Sequence, residues 1–74
     1  EGWLRDPQGR WSLRFHRDQQ SWFRYPYIYI DKGRAMRDGS PALLKARQHI
    51  PRKEAIDLWK KLRKEGWMVV PTQW

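Results

Sequence analysis

The sequence predicts a small α+β domain: an antiparallel sheet of three to five strands that opens on an N-terminal β-hairpin and packs against one C-terminal helix. Three observations predict it. After Asp6-Pro7-Gln8-Gly9, the apolar Trp11, Leu13 and Phe15 alternate with Ser12, Arg14 and His16, a period of two. Between Pro51 and Gly66, the residues Ala55, Leu58, Trp59 and Leu62 recur at helical spacing. The segments in between are rich in β-branched and aromatic residues and are punctuated by Gly/Pro/Asp clusters, with no second helical stripe.

Taken in order, Gly2 to Arg5 and Arg10 to His16 form the hairpin, because Asp at i, Pro at i+1 and Gly at i+3 have the composition of a type I turn. The polar segment 17–21 then connects to the most aromatic stretch, Trp22 to Ile30. There Ile28 and Ile30 share one face of a strand and Tyr27 and Tyr29 the other, with Pro26 at the strand start or on an edge. Lys32-Gly33 and Asp38-Gly39-Ser40-Pro41 read as breakers around an exposed loop, Arg34 to Arg37. Residues 42–50 fit a strand through Ala42, Leu44 and Ala46 and a helix through Leu43, Ala46 and Ile50. Their confinement between two prolines favours the strand. Pro51 suits the first helical position, where a missing N–H is harmless. Gly66 supplies a left-handed cap that lets Trp67 fold back on Leu62, and Met68-Val69-Val70 closes the sheet.

A length of 74 residues allows one domain, 1–74, and no second. With 39% hydrophobic and 32% charged residues the chain leans towards disorder, but eleven aromatic residues reverse that. Each ring can bury roughly 150–250 Å², so a few close a core. Most of Trp3, Trp11, Trp59 and Trp67 are expected there, with Trp22 and Trp74 left exposed. A homodimer would be another way to bury the excess. The chain has no cysteine, which excludes a disulfide scaffold, a Cys-ligated zinc module and a thiol enzyme. No apolar run approaches the roughly 18 residues of a membrane span and the opening Glu1-Gly2-Trp3 is unlike a signal segment, so a cytoplasmic setting is expected.

The chain carries a formal charge of +8, unevenly placed. Up to Asp31, five basic side chains face four acidic ones; from Lys32 on, eleven face four. On the helix, Arg52, Lys53, Lys60, Arg63 and Lys64 fall in one arc whose only uncharged member is Ile56, while Glu54 and Glu65 lie on the other flank. A solvated surface would explain such an arc, but an aliphatic side chain ringed by cations gains nothing on a purely solvated face. The arc is therefore a candidate binding surface, with Arg34, Arg37, Lys45 and Arg47 as further cations.

Catalytic machinery is not legible. His16 and His49 have no His, Asp or Glu at i+3 or i+4, so neither fits a metal site. Asp6, Asp18 and Asp38 sit in turns, where Asp bonds its own backbone. No glycine-rich loop joins a strand to a helix, and Ser12, Ser21 and Ser40 have no recognisable base. A non-enzymatic binding protein without a cofactor is expected.

Two partners fit the charge. The first is nucleic acid: basic and aromatic residues interleave at Arg14-Phe15-His16-Arg17 and Trp22-Phe23-Arg24-Tyr25, with Tyr25, Tyr27 and Tyr29 as stacking candidates and the cations on phosphates. The second is an acidic protein, docked on the helix arc with Ile56 and an exposed Trp as anchors. Membrane-surface binding is disfavoured, because the apolar stripe of the helix is needed for the core.

As a whole, Gly2-Trp3-Leu4, Trp11-Ser12-Leu13-Arg14-Phe15, Tyr29-Ile30-Asp31-Lys32-Gly33-Arg34, Pro41-Ala42-Leu43-Leu44-Lys45, Leu58-Trp59-Lys60 and the closing Pro71-Thr72-Gln73-Trp74 resemble a family of small cyanobacterial proteins, the domain of unknown function 1651. The resemblance covers essentially the full chain and implies a stand-alone cytoplasmic protein. It transfers no catalytic or binding residue. It departs at the helix start, where relatives carry Ser or Thr and this chain has Pro51.

Overall fold

Asp6 closes the first hairpin twice over. Its carbonyl accepts the Gly9 N–H at 3.0 Å, and its carboxylate accepts the N–H groups of Arg10 and Trp11 at 2.7 and 3.2 Å. The hairpin joins β1 (Gly2–Arg5) to β2 (Trp11–Arg17); β3 (Tyr27–Arg34), β4 (Leu43–Pro51), α1 (Arg52–Lys64) and β5 (Met68–Val70) follow. These come from a computed structural model that describes residues 2–34, 36 and 43–74. The sheet runs β4-β3-β2-β1-β5 with every neighbour antiparallel, so the helix carries the chain from one edge strand to the other. This is the α+β architecture that the sequence predicts.

The helix covers one face of the sheet. Leu4, Phe15 and Ile30 meet Ala55 and Leu62 of α1 in the core, and Leu13, Ile28, Ile50, Leu58, Trp59 and Trp67 pack around them. The stripe Ala55, Leu58, Trp59, Leu62 is thus the packing face of α1, as its spacing requires. Trp59 and Trp67 are part of this core. Trp3 is buried on the opposite face, beneath Trp74, whose ring meets it edge-on with centroids 4.4 Å apart. Trp74 therefore differs from the exposed residue expected, because Gln73 accepts a hydrogen bond from Arg5 and draws the C-terminal segment across that face. Trp11 is half-buried at a sheet end with the Lys32 ammonium 4.3 Å from its ring centre.

Two expectations fail locally. β3 does not stop at Lys32-Gly33 but continues to Arg34, because it is paired on both sides: Gly33 lies opposite Ser12 of β2 and Leu44 of β4. A bulge goes with that extension. Lys32 faces Ala46 while Gly33 faces Leu44, which leaves Lys45 as the extra residue and puts Leu44 and Ala46 on opposite faces rather than on one. The helix start also moves. Pro51 is the residue before the first helical turn, ends β4 opposite Tyr27, and offers no side-chain cap. The first helical N–H, that of Arg52, is satisfied instead by the Pro26 carbonyl at 2.9 Å.

The helix ends as predicted. Gly66 takes φ +99°, its N–H bonds the Arg63 carbonyl at 3.2 Å, and the Trp67 N–H bonds the Leu62 carbonyl at 3.0 Å. A methyl group at position 66 would impose the left-handed penalty and stand 3.3 Å from Pro7 Cγ. Gly66→Ala is therefore expected to lower unfolding stability by about 1–3 kcal/mol, read as an earlier urea midpoint at unchanged slope.

Candidate functional site

The two faces of the sheet differ sharply in what they offer a partner. On the helix-free face, side chains from three strands form a ladder of rings. His49 lies between Tyr27 and Tyr29, with centroids 4.8 and 4.6 Å away, and Tyr29 has His16 on a further side at 5.5 Å. The Arg47 guanidinium sits 4.5 Å from the Tyr29 ring centre. Beneath them, Asp31 accepts two hydrogen bonds from Arg47, at 2.5 and 3.0 Å, and lies 2.7 Å from His16 Nε2. Tyr29 therefore already has neighbours on its faces and Arg47 already has its carboxylate. Of the three tyrosines expected to stack on bases, Tyr27 and Tyr29 are packed against histidines instead, and Tyr25 alone stays exposed.

The histidines, which the sequence shows without acidic neighbours, each meet a carboxylate through the tertiary fold: His16 that of Asp31, and His49 that of Asp18 at 2.9 Å. Asp18 also bonds its own segment, accepting the Gln20 N–H at 2.9 Å. That backbone bond, together with His49, holds its carboxyl below the ordinary range despite the opposing effect of desolvation. For Asp31, burial works to raise the carboxyl. The hydrogen bonds and charges of Arg47 and His16 outweigh it and hold the group below the ordinary carboxylate value of about 4.

A carboxylate held low in the folded state stabilises the fold at every pH above its unfolded value. That contribution is lost as acid protonates it through the lower folded value. Stability measured by urea unfolding is thus expected to fall below about pH 4, with a shallower acid limb in Asp31→Asn. At neutral pH, Arg47→Ala leaves a carboxylate only 4% exposed with, among the described residues, His16 as its remaining side-chain partner. Because Arg47 is itself 55% exposed, the expected loss is smaller than that of a fully buried pair and is read as an earlier urea midpoint at unchanged slope.

A second group of exposed side chains stands beside the start of α1, next to the Tyr27 end of the ladder. Between β2 and β3, Trp22, Phe23 and Tyr25 are 71%, 78% and 70% exposed. Their loop is pinned at both ends: Asp18 N–H bonds the Tyr27 carbonyl at 2.9 Å, and the Pro26 carbonyl holds the Arg52 N–H. The second bond seats the loop beside the first turn of α1. Tyr25 and Arg24 border a recess with Tyr27, Lys53, Ile56 and the acidic Asp57; Phe23 and Arg17 border another with Ile28; and Arg52 belongs to both. A third, apolar groove of about 220 Å³ runs under the helix, lined by Phe15, Ile28, Ile56 and Trp59 with Arg52 and Lys60 among its walls. No carboxylate among the described residues pairs with Arg52, Lys53 or Lys60.

The fold thus places Tyr25, Arg52, Lys53, Ile56 and Lys60 along adjoining depressions and adds Arg17, Arg24 and Phe23 to them, while Trp22, expected to be exposed, is exposed in the same loop. The signal for the loop was the interleaving Trp22-Phe23-Arg24-Tyr25 itself. In the parallel run Arg14-Phe15-His16-Arg17, by contrast, Phe15 is core. Arg63 and Lys64 lie at the far end of α1, where Arg63 donates to the Trp67 carbonyl at 2.7 Å. Arg34 and Lys45 are exposed at the other end of β3 and β4, roughly 20 Å along the strands from Tyr27. Arg37 lies outside the described residues. Among the described residues no helix is long and apolar enough to cross a membrane.

Comparison with curated proteins and with solved structures returns no match. A family model described as protein of unknown function (DUF1651) matches residues 1–74. The chain belongs to that family.

Proposed function

We propose that the protein is a non-enzymatic nucleic-acid-binding protein, and that its interface is the aromatic loop 22–25 with the N-terminal half of α1. One observation carries the reading: Phe23 and Tyr25, each at least 70% exposed, border recesses that they share with Arg17, Arg24, Arg52 and Lys53, with Asp57 as the one acidic side chain lining them. Exposed rings grouped on a small domain mark a contact surface, and a ring next to a guanidinium matches a base next to a phosphate. The net positive charge attracts an anionic polymer to the molecule as a whole, and the exposed rings beside Arg52 and Lys53 give it a place to settle. Such a partner fits the cytoplasmic setting expected of the chain.

An acidic protein partner would use the same cations, but its apolar anchor would be Ile56, and Ile56 is half-buried in the groove floor rather than projecting. The flat rings, which every base can stack on, are the groups that project.

Salt separates the two. With about five cations on phosphates, log K for a short labelled oligonucleotide is expected to fall with log salt at a slope of roughly −3 to −4, about a hundredfold between 50 and 200 mM. Fluorescence anisotropy reads this directly. Failure to bind DNA or RNA at 50 mM salt, or binding indifferent to salt, rejects the proposal.

A further inference from the structure

The groove under the helix narrows the class of nucleic acid. At about 220 Å³ it is far larger than the roughly 30 Å³ share of a water molecule, and smaller than the roughly 300–1,000 Å³ pockets that enclose drug-sized ligands. It is the size for one flat ring system. Its interior is apolar: Phe15 and Trp59 meet edge-to-face with centroids 5.1 Å apart, and Ile28 and Ile56 supply aliphatic surfaces. Its rim is cationic, with Arg52 and Lys60 and no acidic side chain among the lining residues. An apolar recess with a positive rim complements a group that is flat and apolar inside and anionic outside.

The surroundings extend the pattern. Arg52 is common to the groove and to both flanking recesses, so the three depressions adjoin around one guanidinium. Phe23 borders one flank and Tyr25 the other, both largely exposed. Bases in a duplex face inward, and only an unstacked base of a single strand can enter such a recess.

Building on the proposed function, we infer that the groove seats one unstacked base of a single strand. The adjoining phosphates lie on Arg52 and Lys60, and the neighbouring bases lie against Phe23 and Tyr25. The protein therefore selects single strands over duplexes by shape and stacking, not by charge alone.

The test compares three probes at one salt concentration: a short single-stranded oligonucleotide, the same strand with its central residues abasic, and a duplex of the same sequence. The intact strand is expected to bind about tenfold tighter, or more, than either of the others, since each stacked base strengthens binding by about that factor. Ile56→Phe, which fills the groove and leaves the charge unchanged, is expected to bring the intact strand to the abasic level at an unaltered salt slope. Should that variant fail to fold, the three-probe comparison still decides. Equal affinity for intact and abasic strands, or for duplex, overturns the seated base while leaving nucleic-acid binding in place. No binding of any probe overturns both.

Discussion

Leu4→Ala is expected to remove about 3–5 kcal/mol of unfolding stability, the largest single-residue loss in the molecule. Leu4 has no exposed surface, and β1 is hydrogen-bonded on both sides, to β2 and β5, so the site cannot collapse inward to fill the space left by the missing methyl groups. A domain of this length holds roughly 4–11 kcal/mol in total. The variant should therefore melt about 15–25 °C lower and approach the unfolded state at growth temperatures. Leu44→Ala makes the control. Leu44 is 52% exposed on the edge strand, and its truncation should change stability by no more than about 0.5 kcal/mol. Thermal unfolding followed by circular dichroism measures both. Equal losses in the two variants would mean that the helix-side core described here is not what holds the sheet.

The second large effect concerns binding. Arg52→Glu combined with Lys60→Glu is expected to weaken oligonucleotide affinity by about a hundredfold at low salt, roughly tenfold for each reversed charge, and to flatten the salt slope by about two. Both residues are exposed on α1, so their replacement leaves the stripe Ala55, Leu58, Trp59, Leu62 intact. Reversal at Arg34 and Lys45, exposed at the other end of the sheet, should cost no more than a fewfold through the general field. A uniform loss across all four positions would point to diffuse attraction by net charge rather than to a site.

Much of the architecture is legible in the sequence, because it rests on periodicity and on local chemistry. The alternation through Trp11, Leu13 and Phe15, the Asp6 turn and the Gly66 cap each depend on residues a few positions apart. What depends on register is not legible. The continuation of β3 through Lys32-Gly33 requires partners on both flanks, and there pairing overrides a local breaker. The bulge at Lys45 then shifts Leu44 to the other face, which a count by twos cannot anticipate.

The same division holds for the interface. Trp22-Phe23-Arg24-Tyr25 and the helix arc announce themselves as local patterns, and the arc's Arg52 and Lys53 meet the loop as neighbours in the fold. Tyr27, Tyr29 and Arg47 look equally suitable in isolation. They are engaged by His16, His49 and Asp31 from other strands, and only the pairing of β2, β3 and β4 shows it. Among the described residues Arg47 is already neutralised by a carboxylate and is a poor phosphate ligand, so the count of useful cations is smaller than the sixteen basic residues suggest.

The central claim is that loop 22–25 and the start of α1 bind nucleic acid while the ladder on the helix-free face, for all its aromatic rings, is structural. Chemical-shift mapping of backbone and indole N–H signals during titration with a single-stranded oligonucleotide tests it most directly. The account predicts that the Trp22 and Trp59 indoles and the amides of 22–25 and 52–60 shift together, while those of Tyr29, Asp31, Arg47 and His49 stay in place. Shifts centred on the ladder of Tyr27, His49 and Tyr29, with loop 22–25 unmoved, would contradict it.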